Sequence, residues 1–333
     1  MLSSLADLLA AVDLLYGAAI PLKPLQMLAG IRRVNAGEGI KAVAKSIGTT
    51  AKKLESVNDA ADPITEAIKC SLADAEDAKL LGRVRRNLGQ LLVGQLAEHE
   101  FERIYRESMA TSELHLEDDR EARSDTDYLV RNGSQRALFR VNIKFFGSQF
   151  RNAKELVGLE PDDCFALATY KIKQGLDKQE KEVLPYLFVI VSVPGLMGER
   201  AGEAIPENLC HLCSLIFKGK VSGKRGVEDA IIEKIAASPP PASKVAIEKF
   251  AQEIAAASWY VLSARKADKL LREKLFDRVY AVRVRAFARN YGNAELDMHF
   301  SLKDDLTPLK DFLAKLRELG LPQIMSHLER GIF

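Results

Sequence analysis

A disulfide framework is the first thing this sequence lacks. Its 333 residues hold four cysteines, Cys70, Cys164, Cys210 and Cys213, too few and too scattered to staple a chain of this size. That pattern fits a reducing compartment, most simply the cytoplasm. No apolar run reaches membrane-spanning length. The apolar opening "MLSSLADLLAAVDLLYGAAIPLKPL" is interrupted by Asp7 and Asp13 and has no basic stretch before it, which points away from a secretory leader and toward a buried amphipathic helix. An excess of one charge is lacking too. Lys and Arg number 48 against 46 Asp and Glu, a net charge of +2, which argues against a uniformly basic, polymer-coating protein but leaves room for local basic faces. Internal repeats and low-complexity tracts are absent.

What is present is a chain 47% hydrophobic and 28% charged, long enough to bury a sizeable core. Residues 1 to about 110 read as helical, because apolar positions recur at three and four and Ala and Leu dominate. The last of these helices runs from about Gly82 to Met109. From about 114 to 193 the period changes to two, giving candidate strands "ELHLE", "TDYLV", "ALFRVNIKFF", "CFALATYKI" and "PYLFVIVSV", with helices near 149 to 158 and 174 to 182. The last two strands are nearly continuous apolar runs, as expected at the centre of a sheet covered on both faces. After Pro194 come the basic loop "KGKVSGKRG" and a linker or rigid turn, "ASPPPASK". A helix over about 243 to 274 is expected next, then a hairpin "YAVRVRAFARNYGNAELDMHFSL" turning at Asn290 to Asn293, then closing helices to 330. The expected class is therefore α/β, with a helical region over 1–81, an α/β core over 82–236 and a helical region with a hairpin over 237–333.

The stretch from Ser124 to Glu155 carries chemistry. It reads as two strands joined at an Asn-Gly turn, followed by a helix. Alternate residues share a side of a strand, so Asn142 and Lys144 lie on one face of "ALFRVNIKFF", while Asp125 and Asp127 share a face of the strand before it. A hairpin can bring the two faces together. A carboxylate beside a lysine suits phosphodiester hydrolysis: the acid holds Mg²⁺, and the ammonium orients the attacking water and neutralises developing phosphate charge. Mg²⁺ on phosphates commonly takes one or two acids plus waters and substrate oxygens. Glu98, in "GQLAEHEF", and Glu155 are the candidates to complete the site.

A helix with Glu, a strand with Asp, a strand with x-x-Lys, then a helix and two apolar strands resembles the PD-(D/E)xK nuclease superfamily, which includes most restriction endonucleases. The resemblance covers about residues 83 to 193. It implies a restriction-endonuclease-like mixed sheet flanked by helices, Mg²⁺ as cofactor, double-stranded DNA as substrate, and a homodimer. It further implies that Asp127 is the metal-holding acid, with Asp125 its substitute, that Lys144 is the motif lysine, and that Glu98 is the helical glutamate. The departure is Asn142, which stands where the second acid belongs, and an amide oxygen binds Mg²⁺ more weakly than a carboxylate. In one group of restriction enzymes a glutamate of the next helix replaces that strand acid, and Glu155 follows Lys144 by eleven positions, within that spacing. Arg151 lies near the place of that group's base-reading arginine, at a different offset. The most specific expectation is a type II restriction enzyme. Its rivals are a DNA-binding protein on a nuclease fold that has lost catalysis, and an interaction protein whose charged strands are merely solvated.

Other features have two readings each. "IKAVAKSIGTTAKKLESV", Ile40 to Val57, is spaced as a helix-turn-helix, in which a second helix from about Thr50 to Asn58 presents Thr49, Thr50, Lys52 and Lys53 to a major groove. An ordinary helical hairpin is the alternative. The loop with Lys218, Lys220, Lys224 and Arg225 fails the spacing of a phosphate-binding loop, yet as a basic loop it can touch a DNA backbone. Cys210, His211 and Cys213 hint at zinc, but no second ligand pair stands at a fitting distance, so they read as small buried side chains. Arg283 and Arg285 alternate with apolar residues and make either a phosphate-tracking or a solvated face.

Overall fold

The computed structural model describes residues 23–61, 63–70, 75–120, 126–147, 149–196, 198–217, 225–283 and 294–333. The expected N-terminal helix, Asp125, Lys218, Lys220, Lys224, Arg285 and the turn at Asn290 to Asn293 lie outside the described residues, as do the side chains of Arg225 and Arg283. Two compact units are present, Met1–Leu92 with Gly198–Ile247, and Val93–Met197 with Glu248–Phe333.

The first unit is helical where it is described. Helices α1 (Lys23–Asn35), α2 (Ile40–Ser46), α3 (Ala51–Asn58) and α4 (Pro63–Cys70) enclose Met27, Ile31, Val43, Ala44, Leu54, Val57 and Ala67. The α2–α3 turn is local chemistry: Gly48 takes a left-handed φ of 67°, and Thr50 caps α3 by accepting from the Lys53 N–H at 3.3 Å. Helix α5 (Ala75–Ser108) begins in this unit and ends in the second.

In the second unit β1 (His115–Asp118), β2 (Tyr128–Arg131) and β3 (Ala137–Phe146) form an antiparallel meander. The β2–β3 turn is longer than a two-residue Asn-Gly loop. It spans residues 132–136, is held by Asn132 Oδ1 accepting from Ser134 and Arg136, and places the positive φ of 65° on Gln135. Then follow α6 (Ala153–Val157), β4 (Cys164–Ala168), α7 (Thr169–Glu182) and β5 (Tyr186–Ser192). Strand β5 pairs parallel to β3, with Asn142 opposite Phe188 and Lys144 opposite Ile190, and all its residues are buried.

The chain returns to the first unit for α8 (Gly198–Gly202), α9 (Glu207–Phe217), α10 (Arg225–Ala237) and the start of α11 (Pro241–Ala255). Within that unit α8 lies so close to α5 that a Cβ on Gly89 would collide with the Gly198 carbonyl and the Gly202 amide. The second unit is completed by β6 (Ser258–Ser263), α12 (Ala264–Glu273), α13 (Leu275–Arg278), β7 (Val279–Arg283), β8 (Ala294–Ser301), β9 (Thr307–Pro308), α14 (Leu309–Glu318) and α15 (Leu321–Glu329).

The fold is mixed α/β. Its larger sheet has the order β1-β2-β3-β5-β6-β9, and a smaller one the order β4-β8-β7. Two expectations are corrected here. The single helix over 243 to 274 is broken by β6, because "SWYVLS" buries Trp259, Val261 and Leu262 against the central strand β5, and pairing with a buried neighbour overrides helical periodicity. The run "CFALATYKI" is a strand only to Ala168; α7 starts at Thr169, and β4 joins the smaller sheet instead of lying beside β5. Among the described residues no helix is long and apolar enough to cross a membrane.

Candidate active site

Asp127 sits just before β2, where the ladder to β3 begins. Its N–H donates to the Val141 carbonyl at 3.0 Å, and its own carbonyl accepts from the Asp119 N–H at 3.0 Å. Its carboxylate accepts from the Ile143 N–H at 2.5 Å, taking the role a backbone carbonyl would have and fixing the side chain over the segment that carries Asn142 and Lys144. Burial pushes the Asp127 carboxyl up. The Ile143 N–H, the Lys144 ammonium and Arg120 pull the other way, and Asp118 adds to the rise. Lys144 and Asn142 lie on one face of β3, and Asn142 is buried at 7% exposure.

Glu98 arrives from the second half of α5, whose Phe101 packs 5.7 Å from the Tyr128 ring. The Tyr128 hydroxyl donates to the Glu98 carbonyl at 3.2 Å, tying helix to hairpin. The Glu98 carboxyl is pushed up to about 7, first by burial and then by the nearby charge of Asp127, with Arg120 opposing. Two acids that disfavour each other's ionisation in a half-buried place invite a cation.

One cation present is Arg120. It donates to Glu98 Oε2 at 2.8 Å and to Asp118 Oδ2 at 2.5 Å, and stands 5.7 Å from the Tyr128 ring centroid. Hydrogen bonding to Arg120 holds the Asp118 carboxyl below its usual value. Sequence reasoning missed both residues, although the alternating acids and base of "LEDDR" beside a strand end were a usable signal. Behind them Arg140 bridges Asp119 and Glu182, and Thr126 donates to Asp119 at 2.6 Å, which anchors β3 to the end of α7.

The other expected site residues stay apart from this cluster. Glu155 is exposed on α6, a one-turn helix that buries Ala153 and Val157 against Leu159 and Cys164, and it is not among the main charges acting on Asp127 or Glu98. Arg151 is exposed. In the first unit Thr50 is occupied as the cap of α3, and Lys53 donates to the Cys70 carbonyl at 3.3 Å. Lys52 is exposed and Thr49 half-buried. Cys210 and Cys213 are fully buried, with thiols pushed up by desolvation.

Among the described residues no three His, Cys, Asp or Glu side chains lie close enough to enclose a metal ion. A two-carboxylate site completed by waters and substrate oxygens is nonetheless the ordinary Mg²⁺ arrangement on phosphates, and the donor set of Glu98, Asp127 and the Asn142 amide fits it. No protein-family model, curated protein or solved structure matches the chain, so the chemistry of these residues has to carry the functional reading.

Proposed function

We propose that the protein is a metal-dependent endonuclease that hydrolyses phosphodiester bonds of double-stranded DNA, acting as a homodimer and, in its most specific form, as a type II restriction enzyme. The observation that carries this reading is the meeting of Glu98, Asp127 and Lys144 from α5, the start of β2 and β3. The order of elements supports it as well: a helix with Glu98, a three-strand meander with Asp127 and Lys144, a crossover helix, and a strand parallel to β3, as in the superfamily that the sequence resembles.

Glu98 and Asp127 would hold Mg²⁺, with Asn142 as a neutral donor. The ion would supply Lewis-acid polarisation of a phosphoryl oxygen and a more acidic water. The Ile143 N–H keeps the Asp127 carboxylate in one orientation. Lys144 neutralises charge that develops on the phosphate and orients the attacking water. Arg120 holds Glu98 while no metal competes for it. DNA recognition by the α2–α3 pair belongs to the same proposal, with Lys52 as its exposed base.

A cleavage assay tests this directly, with plasmid and phage DNA, Mg²⁺ or Mn²⁺, EDTA as a control, and Lys144→Ala as the variant. Metal-dependent bands from the wild type that vanish in the variant are expected. Binding without cleavage under every metal condition would sink the nuclease and favour a DNA-binding protein on a nuclease fold, the reading that Asn142 in place of a strand acid supports.

A further inference from the structure

The acid–lysine centre adjoins an open cleft of about 330 Å³ whose lining includes Asn142 and Lys144 of β3, Lys171, Gln174 and Lys178 of α7, and Phe188 of β5. The α7 residues reach it for a simple reason. Positions 171, 174 and 178 follow one stripe of a helix, while Ile172, Gly175, Leu176 and Gln179 are buried. Gly175 lets the helix lie close to the sheet, since a Cβ there would meet the Phe188 and Tyr186 rings at 3.0 and 3.1 Å. Acids that would neutralise the stripe are drawn elsewhere: Glu182 pairs with Arg140, and Glu180 stands 3.8 Å from Arg265. Lys171 lies 5.2 Å from the ring centroid of Tyr170, and neither it nor Lys178 forms an ion pair among the described residues.

Three ammonium groups and two side-chain amides around a small polar cleft supply many hydrogen-bond donors and no negative charge, which suits a phosphate group and not an apolar ligand. Lys144 belongs to both places, because it lines the cleft and its charge acts on Asp127. We propose that Lys171, Lys178 and Gln174 hold a backbone phosphate of the strand whose neighbouring phosphodiester lies at Asp127 and Lys144, so that α7 tracks the strand being cut. The proposal rests on the nuclease reading and adds to it the element that positions the substrate.

The test compares wild type, Lys171→Ala/Lys178→Ala, Lys171→Arg/Lys178→Arg and Asp127→Asn, each checked for folding by circular dichroism. Binding to a short fluorescent duplex is measured in Ca²⁺ over a range of salt, and cleavage kinetics in Mg²⁺. The alanine pair is expected to flatten the dependence of log affinity on log salt by about two units, one for each lost phosphate contact. It should also raise KM far more than it lowers kcat, and the arginine pair should restore both. An unchanged salt slope and KM in the alanine pair would overturn the subsite and leave two solvated lysines. Asp127→Asn separates the two claims. Intact cleavage in that variant refutes the nuclease centre, while the salt slopes still decide the subsite; a wild type that binds no duplex overturns both.

Discussion

The two sheets of the second unit both bury acids, and they treat them differently. Near the smaller sheet Asp163 accepts from the Ser301 hydroxyl at 2.7 Å and the Lys303 N–H at 2.9 Å. Asp305 accepts from the Ser301 N–H and from Lys274 Nζ, both at 2.8 Å. These carboxylates are satisfied by neighbours that serve only to close the turn after β8. At the larger sheet, burial pushes the carboxyls of Asp127 and Glu98 up, and the two face each other's charge. An acid surrounded by donors builds structure, whereas acids that share a place with too few donors are set to bind something positive.

The largest effect expected to sharpen this contrast is catalytic. Lys144→Ala and Asp127→Asn should each lower the cleavage rate by about 10²–10³-fold or more, with urea midpoints close to wild type, as read by single-turnover kinetics and chemical denaturation. Near-normal rates in both would erase the difference between the sheets.

On the structural side the order reverses. Asp305→Ala leaves Lys274 and the Ser301 N–H without their acceptor and should destabilise the protein by about 2–4 kcal/mol, measured as a shift in urea midpoint, while metal dependence stays as it was. A variant as stable as wild type would show that Asp305 is not the strut described here.

Glu98 gives a prediction of opposite sign. Its folded value of about 7 lies above its ordinary one, so its contribution to stability is fully present below the ordinary carboxyl range and is lost as pH rises through about 7. Without divalent metal, Glu98→Gln should therefore be more stable than wild type above that pH, by about 1–2 kcal/mol once the lost pairing with Arg120 is subtracted. Mg²⁺ should stabilise the wild type and not the variant. Thermal melts with and without EDTA decide it, and a variant that is less stable at every pH would show that Glu98 is a strut like Asp305.

The smallest effect belongs to His299, which is buried, shares its Nδ1 with the Arg278 carbonyl at 3.2 Å and stacks 4.8 Å from Phe150. Burial lowers its pKa. The stability it contributes is present above the ordinary histidine value and is lost as pH falls through its lower folded value. His299→Gln should flatten the acid side of the stability profile by less than about 1 kcal/mol, and an unchanged profile would place the titrating group elsewhere.

Much of the chain was legible because it depends on neighbours in sequence. Strand alternation fixed which face of β3 carries Asn142 and Lys144, the apolar run at 186 to 192 announced a buried strand, and Gly48 with Thr50 marked the turn between α2 and α3. Glu155 shows the limit. Its distance from Lys144 along the chain is right for a metal ligand, but α6 buries its other side and leaves Glu155 in water. In the same way, composition gave no sign that "SWYVLS" would leave a helical pattern to pair with β5.

The sequence by itself determined the periods, the caps, the buried runs and the two residues, Asp127 and Lys144, that a hairpin must bring near each other, because those follow from geometry over a few residues. Only the tertiary structure decided that Glu98 and not Glu155 joins them, that Arg120 stands between Glu98 and Asp118, and that α7 sets lysines along the same cleft. Charge interaction and desolvation depend on distances across packed elements far apart in the chain, and spacing along one strand or one helix carries no record of them.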